Sequence, residues 1–204
     1  MNHARLAILF AVLGMMAPGL AHAQAASRVG GSRLWIGGHL GLSPIGSLEA
    51  SAQGFSSSVD AASAFEIGGL VDYRLTPIFS IGFAPTVVLH VKGTGDSDSG
   101  SELDLPLRVT AGSEVAPRIR LYGFVTPGFS ILYPPSNGQG DTPHPSGFMI
   151  GFGGGAGYHV APRVMLTGEL GYQFRFLSDT VAGVDATFHV NYLTLSVGAA
   201  FALD

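Results

Sequence analysis

Residues 147–176, GFMIGFGGGAGYHVAPRVMLTGELGYQFRF, alternate with a period of two on both sides of a tight turn. Phe148, Ile150, Phe152, Gly154, Ala156, Tyr158 and Val160 share one face, and Met149, Gly151, Gly153, Gly155, Gly157 and His159 the other. After Ala161-Pro162, Leu166, Gly168, Leu170, Tyr172, Phe174 and Phe176 alternate with Met165, Thr167, Glu169, Gly171, Gln173 and Arg175. Such alternation marks strands with two different environments. Each run is about as long as a tilted strand needs to cross a bilayer, roughly 9–11 residues. The greasy face ends in aromatics. The other is small and sparse, as for a narrow polar lumen, and lacks the dense charge of a surface in bulk water.

The whole chain fits that reading. Of 204 residues only 12% are charged, 47% are hydrophobic and 30 are glycine, a balance unlike a soluble surface. The length suits one domain. No run of 18 apolar residues lies beyond position 23, so no membrane-spanning helix is expected. Residues 1–23 read as a secretory signal: Arg5, an apolar run from Leu6 to Met16, a Pro18-Gly19 break, and Ala21-His22-Ala23 before the cut. A short periplasmic leader, 24–32, would follow, and then a barrel over 33–204. The chain has no cysteine, which excludes disulfides and a lipid-linked N-terminus. Removing Arg5 with the leader leaves 9 basic against 14 acidic residues, with Lys92 the sole lysine, so no nucleic-acid partner is expected.

Further strands are read at about 33–43, 63–74, 78–90, 102–112, 118–132 and 188–203, making eight with the opening hairpin. Their connections alternate long and short. The long ones, 44–62, 91–101, 133–146 and 177–187, all fall at one end. The short ones, including Leu75-Thr76-Pro77 and 113–117, fall at the other. The expected fold is all-β: an eight-stranded antiparallel up-and-down transmembrane β-barrel. In lipid a spanning sheet cannot keep an open edge, because its N–H and C=O groups would have no partner. Pro85, Pro106 and Pro127 each remove a ladder donor, and Pro85 and Pro106 should be neighbours on adjacent strands, so a local bulge or break is expected there.

At this point the chain resembles the small eight-stranded outer-membrane barrels of the OmpA/OmpX-like superfamily, over about residues 33–204. Topology carries the resemblance more than any motif. Such proteins tend to end in a signal read by the barrel assembly machinery, and Ser196, Gly198, Phe201 and Leu203 fit it, with Leu203 in place of the usual aromatic. The resemblance implies an outer-membrane location, outer-membrane lipids and the assembly machinery as partners, and no cofactor. Some small barrels modify lipid A. The deacylase type uses a His-x-Ser pair, whereas His189 here precedes Val190-Asn191 and His90 precedes Val91-Lys92. Neither supplies the serine.

The inward positions gather four acids, Glu66, Asp72, Asp104 and Glu169, and four arginines, Arg74, Arg108, Arg120 and Arg175. Buried charges must be paired, and eight-stranded barrels fill their interiors with side chains, so a charge-matched plug is expected rather than an open pore. Arg108 should meet Glu169 across the lumen, Arg175 should find Glu66 or Asp104, and Arg120 should join Asp72 and Arg74. His39, His90 and His159 also point inward in this reading but share no ligand spacing, and Asp96, Asp98 and Glu102 lack the full pattern of a calcium loop, so no metal site is expected. The glycine-lined inner face of residues 151–157 should be covered from the preceding strand, Tyr122 lying near Gly157 and Phe124 near Gly155. The function read from this is a non-enzymatic scaffold displaying four loops. The alternatives are a narrow pore for small solutes or ions, and a lipid A-modifying enzyme.

Overall fold

The computed structural model describes residues 32–53, 55–91, 99–135, 144–181 and 184–203. The signal segment 1–23 and the leader up to residue 31 lie outside them, as do Lys92, Asp96, Asp98, Asn137, Gly138 and Asp141. Among the described residues the chain is strand throughout: β1 (Leu34–Ala52), β2 (Phe55–Ala61), β3 (Ala64–Arg74), β4 (Phe79–Phe83), β5 (Thr86–Val91), β6 (Gly100–Ala116), β7 (Ile119–Tyr133), β8 (Ser146–Ala161), β9 (Val164–Val181) and β10 (Val184–Leu203). Every pairing is antiparallel, and the ladder closes: β1 bonds to β10 on one edge and β3 on the other. From β10 it runs through β9, β8, β7 and β6, then through β4 and β5 back to β3. β2 continues the line of β3 along the outer half of β1, and β4 and β5 lie end to end between β3 and β6. The ten segments therefore occupy eight places in a ring.

The ring inverts the usual polarity. Leu40, Ile67, Phe79, Leu107, Phe152, Leu170 and Val197 are exposed on the outer face, while Glu66, Asp104, Arg108, Arg120 and Arg175 are buried inside. Small polar or glycine positions alternate with the apolar ones, so each strand can face lipid on one side and a narrow interior on the other.

The prolines act as expected at the wall. The strand breaks at Ala84-Pro85, and the two rims of the break are tied by Gly69 N–H to Pro85 O at 2.9 Å and Ala84 N–H to Pro106 O at 3.1 Å. Pro85 and Pro106 are thus neighbours. The β6–β7 register runs to Pro106–Gly128 and resumes at Val109–Val125.

Three boundaries differ from the sequence reading. Residues 44–62 and 177–187 are not long loops: β1 runs to Ala52 and turns back as β2, and β9 and β10 leave only residues 182 and 183 between them. Their Ser, Ala and Gly content hides strands that are held by cross-strand pairing, such as Glu49 with His189, rather than by intrinsic preference. Pro44 falls where the β1–β10 register shifts between Leu42 and Ile45, so no ladder bond is lost. At the other end β6 continues to Ala116, and the turn is Pro117-Arg118, with Arg118 at φ 73°.

The glycine face of β8 is covered from β7, but one step away from the expected register. Tyr122 stands opposite Gly155, and Phe124 opposite Gly153. The count assumed strands that end level with each other, whereas Ser146, the first residue of β8, pairs with Ile131 and β7 runs on to Tyr133. A Cβ at Gly155 would lie 2.8 Å from Tyr122 Cζ and 2.9 Å from Glu169 Cγ. Replacing Gly155 with Leu therefore overpacks the interior against Tyr122 and is expected to cost about 1–3 kcal/mol of stability. The check is the urea unfolding midpoint of the refolded protein, and an unchanged midpoint would mean that Tyr122 swings aside freely.

The charged interior as candidate functional site

The interior is layered along the barrel axis, from the end of the long connections to the end of the short turns. Nearest the long connections, Ala61, Ala64, Val88, Val91, Leu132, Leu177, Val190 and Tyr192 pack into an apolar cluster, with Leu48 and Phe188 against it. It forms because β2, β3, β5, β7, β9 and β10 all turn apolar side chains inward at this end.

Below it lies Arg175, fully buried. Its Nε lies 2.7 Å from Glu102 Oε1 in an ion pair and donates to Asp104 Oδ1 at 3.3 Å, and its Nη2 donates to Asp104 Oδ2 at 2.6 Å and to Gln173 Oε1. The guanidinium also lies over the Tyr192 ring, 5.3 Å from its centre. Of the two partners expected for Arg175, Asp104 is the one it binds. Glu66 instead accepts a 2.7 Å hydrogen bond from Ser43 Oγ. Glu102, at the start of the expected strand but outside the expected inward set, is buried and also accepts a hydrogen bond from Ser130 Oγ. Its phase was the available signal: it lies two residues before Asp104 and six before Arg108, on the same face of β6.

In the middle layer Arg108 and Glu169 meet across the lumen as expected. The contact is a two-pronged pair, Nη1 to Oε2 at 3.0 Å and Nη2 to Oε1 at 2.7 Å. Tyr122 Oη donates to Glu169 Oε1 at 2.7 Å, and the Arg108 guanidinium sits 4.2 Å from the centre of the Phe124 ring. The parallel fork of a guanidinium on a carboxylate is the strongest geometry such a pair can take. The pair stands between two cavities. One, ≈ 50 Å³, lies toward Arg175 and is lined by His39, Glu66, Asp104, Thr126 and Gln173. The other, ≈ 40 Å³, lies toward the short turns and is lined by Trp35, Asp72, Arg74, Arg120 and Thr110. Arg108 and Glu169 border both.

At the short-turn end Trp35, Met165, Ala200 and Ala202 form a second apolar cluster. Arg74 lies over the Trp35 ring at 4.6 Å, and His159 meets that ring edge-on at 5.7 Å. The expected trio of Arg120, Asp72 and Arg74 is brought into one cavity but not into contact. Among the described residues no ion pair joins Asp72 to either arginine, and Arg120 Nη2 reaches only the carbonyl of Ile78, at 3.4 Å.

His39 and His159 point inward, as read. His90 does not. The register shift between Leu89 and Val91, with His90 at φ 63°, turns its ring outward against Phe65, and Val91 takes the inner position. Among the described residues no group of three or more His, Asp or Glu side chains is placed to hold a metal ion. His189 is exposed on β10, edge-on to Phe176. Of the C-terminal residues, Phe201 and Leu203 are exposed on the outer face, Ser196 lines the larger cavity, and Gly198 lies opposite His39.

A closed ring of strands with lipid-facing apolar residues and an ionic interior defines a membrane barrel, and the comparisons place it. The model of the outer membrane protein β-barrel domain family matches residues 8–203, and the chain belongs to that family. It is an outer-membrane protein. Among solved structures it is similar to the outer membrane protein OprG from Pseudomonas aeruginosa, at 12% identity and TM-score 0.63, over 87% of this chain and 99% of that one. It is also similar to the outer membrane protein AlkL, at 16% identity and TM-score 0.56, over 88% and 94%. Neisserial surface protein A matches at 16% identity and TM-score 0.55, over 83% and 97%. At these identities the likeness is one of fold. No curated protein sequence matches the chain.

The central pair lends itself to a double-mutant cycle. Glu169→Ala leaves Arg108 buried without its partner, a loss of about 3–5 kcal/mol. Adding Arg108→Ala is expected to restore part of it. The measurement is the unfolding free energy in urea of the four proteins, and a coupling energy near zero would show that the two side chains do not depend on each other.

Proposed function

We propose that this protein is a non-enzymatic outer-membrane scaffold whose interior is closed by its own side chains and whose long connections face outward from the cell. The observation that carries the reading is the Arg108–Glu169 pair, which crosses the lumen between two cavities that hold only a few water-sized particles each. The apolar cluster around Leu177 and Tyr192 adds a second seal. Cleavage of the signal segment would leave the N-terminus periplasmic, and eight strands return the chain to that side. The end of the barrel at which β1–β2, β5–β6, β7–β8 and β9–β10 are connected, read in sequence as loops 44–62, 91–101, 133–146 and 177–187, is then extracellular. Ser196, Gly198, Phe201 and Leu203 are proposed as the signal for the barrel assembly machinery, and outer-membrane lipids cover the apolar wall. The acids Glu49, Asp60, Asp179 and Asp185 on the strand extensions suit a hydrated surface or a cationic partner.

The pore reading keeps one specific support: the two cavities lie in line, and a single ion pair separates them. Planar-bilayer recording distinguishes the readings. The unaltered protein is expected to hold the bilayer closed, and Glu169→Ala to open it. Large steady conductance in the unaltered protein would favour the pore over the scaffold. Epitope tags placed after Gln53 and at Gly138 are expected to bind antibody on intact cells. Binding seen only after the outer membrane is permeabilised would reverse the proposed sidedness.

A further inference from the structure

The cavity at the short-turn end carries an imbalance that the closed-barrel reading does not use. Three guanidiniums, Arg74, Arg108 and Arg120, line it, against two carboxylates, Asp72 and Glu169. Arg108 and Glu169 satisfy each other with both prongs. That leaves Arg74 and Arg120 with Asp72, and no ion pair joins them among the described residues. Glu114 stands opposite Arg120 in the β6–β7 ladder, half-buried outside the cavity wall, and its charge acts on both Arg74 and Arg120 without an ion pair to either among the described residues. Arg120 is 4% exposed, and its one protein acceptor, the Ile78 carbonyl, is long. A buried guanidinium with spare N–H groups is under strong pressure to find an acceptor.

A second unsatisfied donor belongs to a residue of the same wall. The indole Nε1–H of Trp35 is buried without a hydrogen-bond partner, and Trp35 is 1% exposed and lines the cavity. Thr110 and Thr167 add hydroxyls to the wall. Buried polar atoms are nearly always satisfied, so an orphaned donor beside an under-paired arginine marks a place for an acceptor. We propose that this chamber binds one small inorganic anion, of halide size, between Arg120, Arg74 and the indole N–H of Trp35. The volume, ≈ 40 Å³, suits that size. Asp72 has one orphaned oxygen of its own and limits the site to a single negative charge. The site stands whether or not the barrel conducts.

Trp35 is the sole tryptophan of the chain, so its fluorescence reports on this chamber alone. The experiment titrates the refolded protein in detergent micelles with sodium iodide, holding ionic strength with gluconate, an anion too large for the chamber. Iodide is expected to quench the emission along a saturating curve, chloride to reverse the quenching, and caesium to have little effect. Arg120→Gln and Arg74→Gln each remove donors to a charged ligand and are expected to raise the half-saturation concentration by at least about tenfold. Retained heat-modifiable migration on a cold SDS gel confirms that each variant is folded. Quenching that climbs without saturation, that caesium matches, or that both folded variants retain unchanged would overturn the proposal. If neither variant folds, failure of chloride to reverse quenching in the unaltered protein still does so.

Discussion

The constraint that the rest of this structure depends on is the pairing of backbone groups where no water can take their place. An N–H or C=O left open in hydrocarbon costs several kcal/mol, so a sheet that crosses a bilayer must return to its first strand. The β1–β10 and β1–β3 ladders make that return. Everything else adapts to it. Where Pro85 cannot donate, the wall is bridged by the neighbouring amides of Gly69 and Ala84 rather than left open. Where the strand count must stay at eight places, β2 is stacked on β3 and β5 on β4.

Closure also decides the interior. A ring this narrow leaves space only for side chains, and the outer face has already taken the apolar ones. Between the two apolar clusters at its ends, the inner positions are largely charged, aromatic, hydroxyl or glycine, and these kinds serve one another. Glycines on β8 make room for Tyr122 and Phe124, and those rings flank the Arg108 guanidinium. The Tyr122 hydroxyl then completes the acceptor demand of Glu169. Removing the glycines would push out the aromatics that help hold the ion pair. The bald face of β8 and the charged layer are one arrangement seen from two sides.

The period-two alternation carried most of this from sequence. It showed which residues face inward, and so it found the Arg108–Glu169 meeting, the Asp104–Arg175 pairing and the burial of Arg120. It failed where the pattern changes phase. The register shift after Leu89 reverses His90 and Val91, and nothing in the side chains announces a residue at positive φ. It failed again where composition and pairing disagree. Glu102 follows a Ser- and acid-rich loop at the edge of the expected strand, so its phase with Asp104 was outweighed, and the partners that hold it inside, Arg175 and Ser130, lie far away in sequence. Long-range partners are what a single sequence shows least.

The strand extensions show the same physics from the other direction. β10 has 20 residues and β1 has 19, about twice the roughly 9–11 that a bilayer asks of a tilted strand. The outer face changes along that length. On β1 the exposed apolar positions run from Ile36 through Leu40 and Leu42 to Ile45, and the next exposed positions are Glu49 and Ala50. On β10 they run back from Phe201 through Val197 and Leu195, and then give way to His189, Thr187 and Asp185. β2, at that level, exposes Ser56, Ser57, Ser58 and Asp60, with Phe55 and Val59 beside them. Cross-strand polar bonds appear there too, Thr180 Oγ1 to Asp185 Oδ1 at 2.9 Å and Asn191 Nδ2 to Ser47 Oγ at 3.3 Å. The ladder is continuous while its outer solvent changes from lipid to water. The hydrogen-bonded backbone is indifferent to that change, so only the outward side chains record where the bilayer ends. On β1 and β10 that change falls just beyond Ile45 and Leu193, which are paired across the two strands.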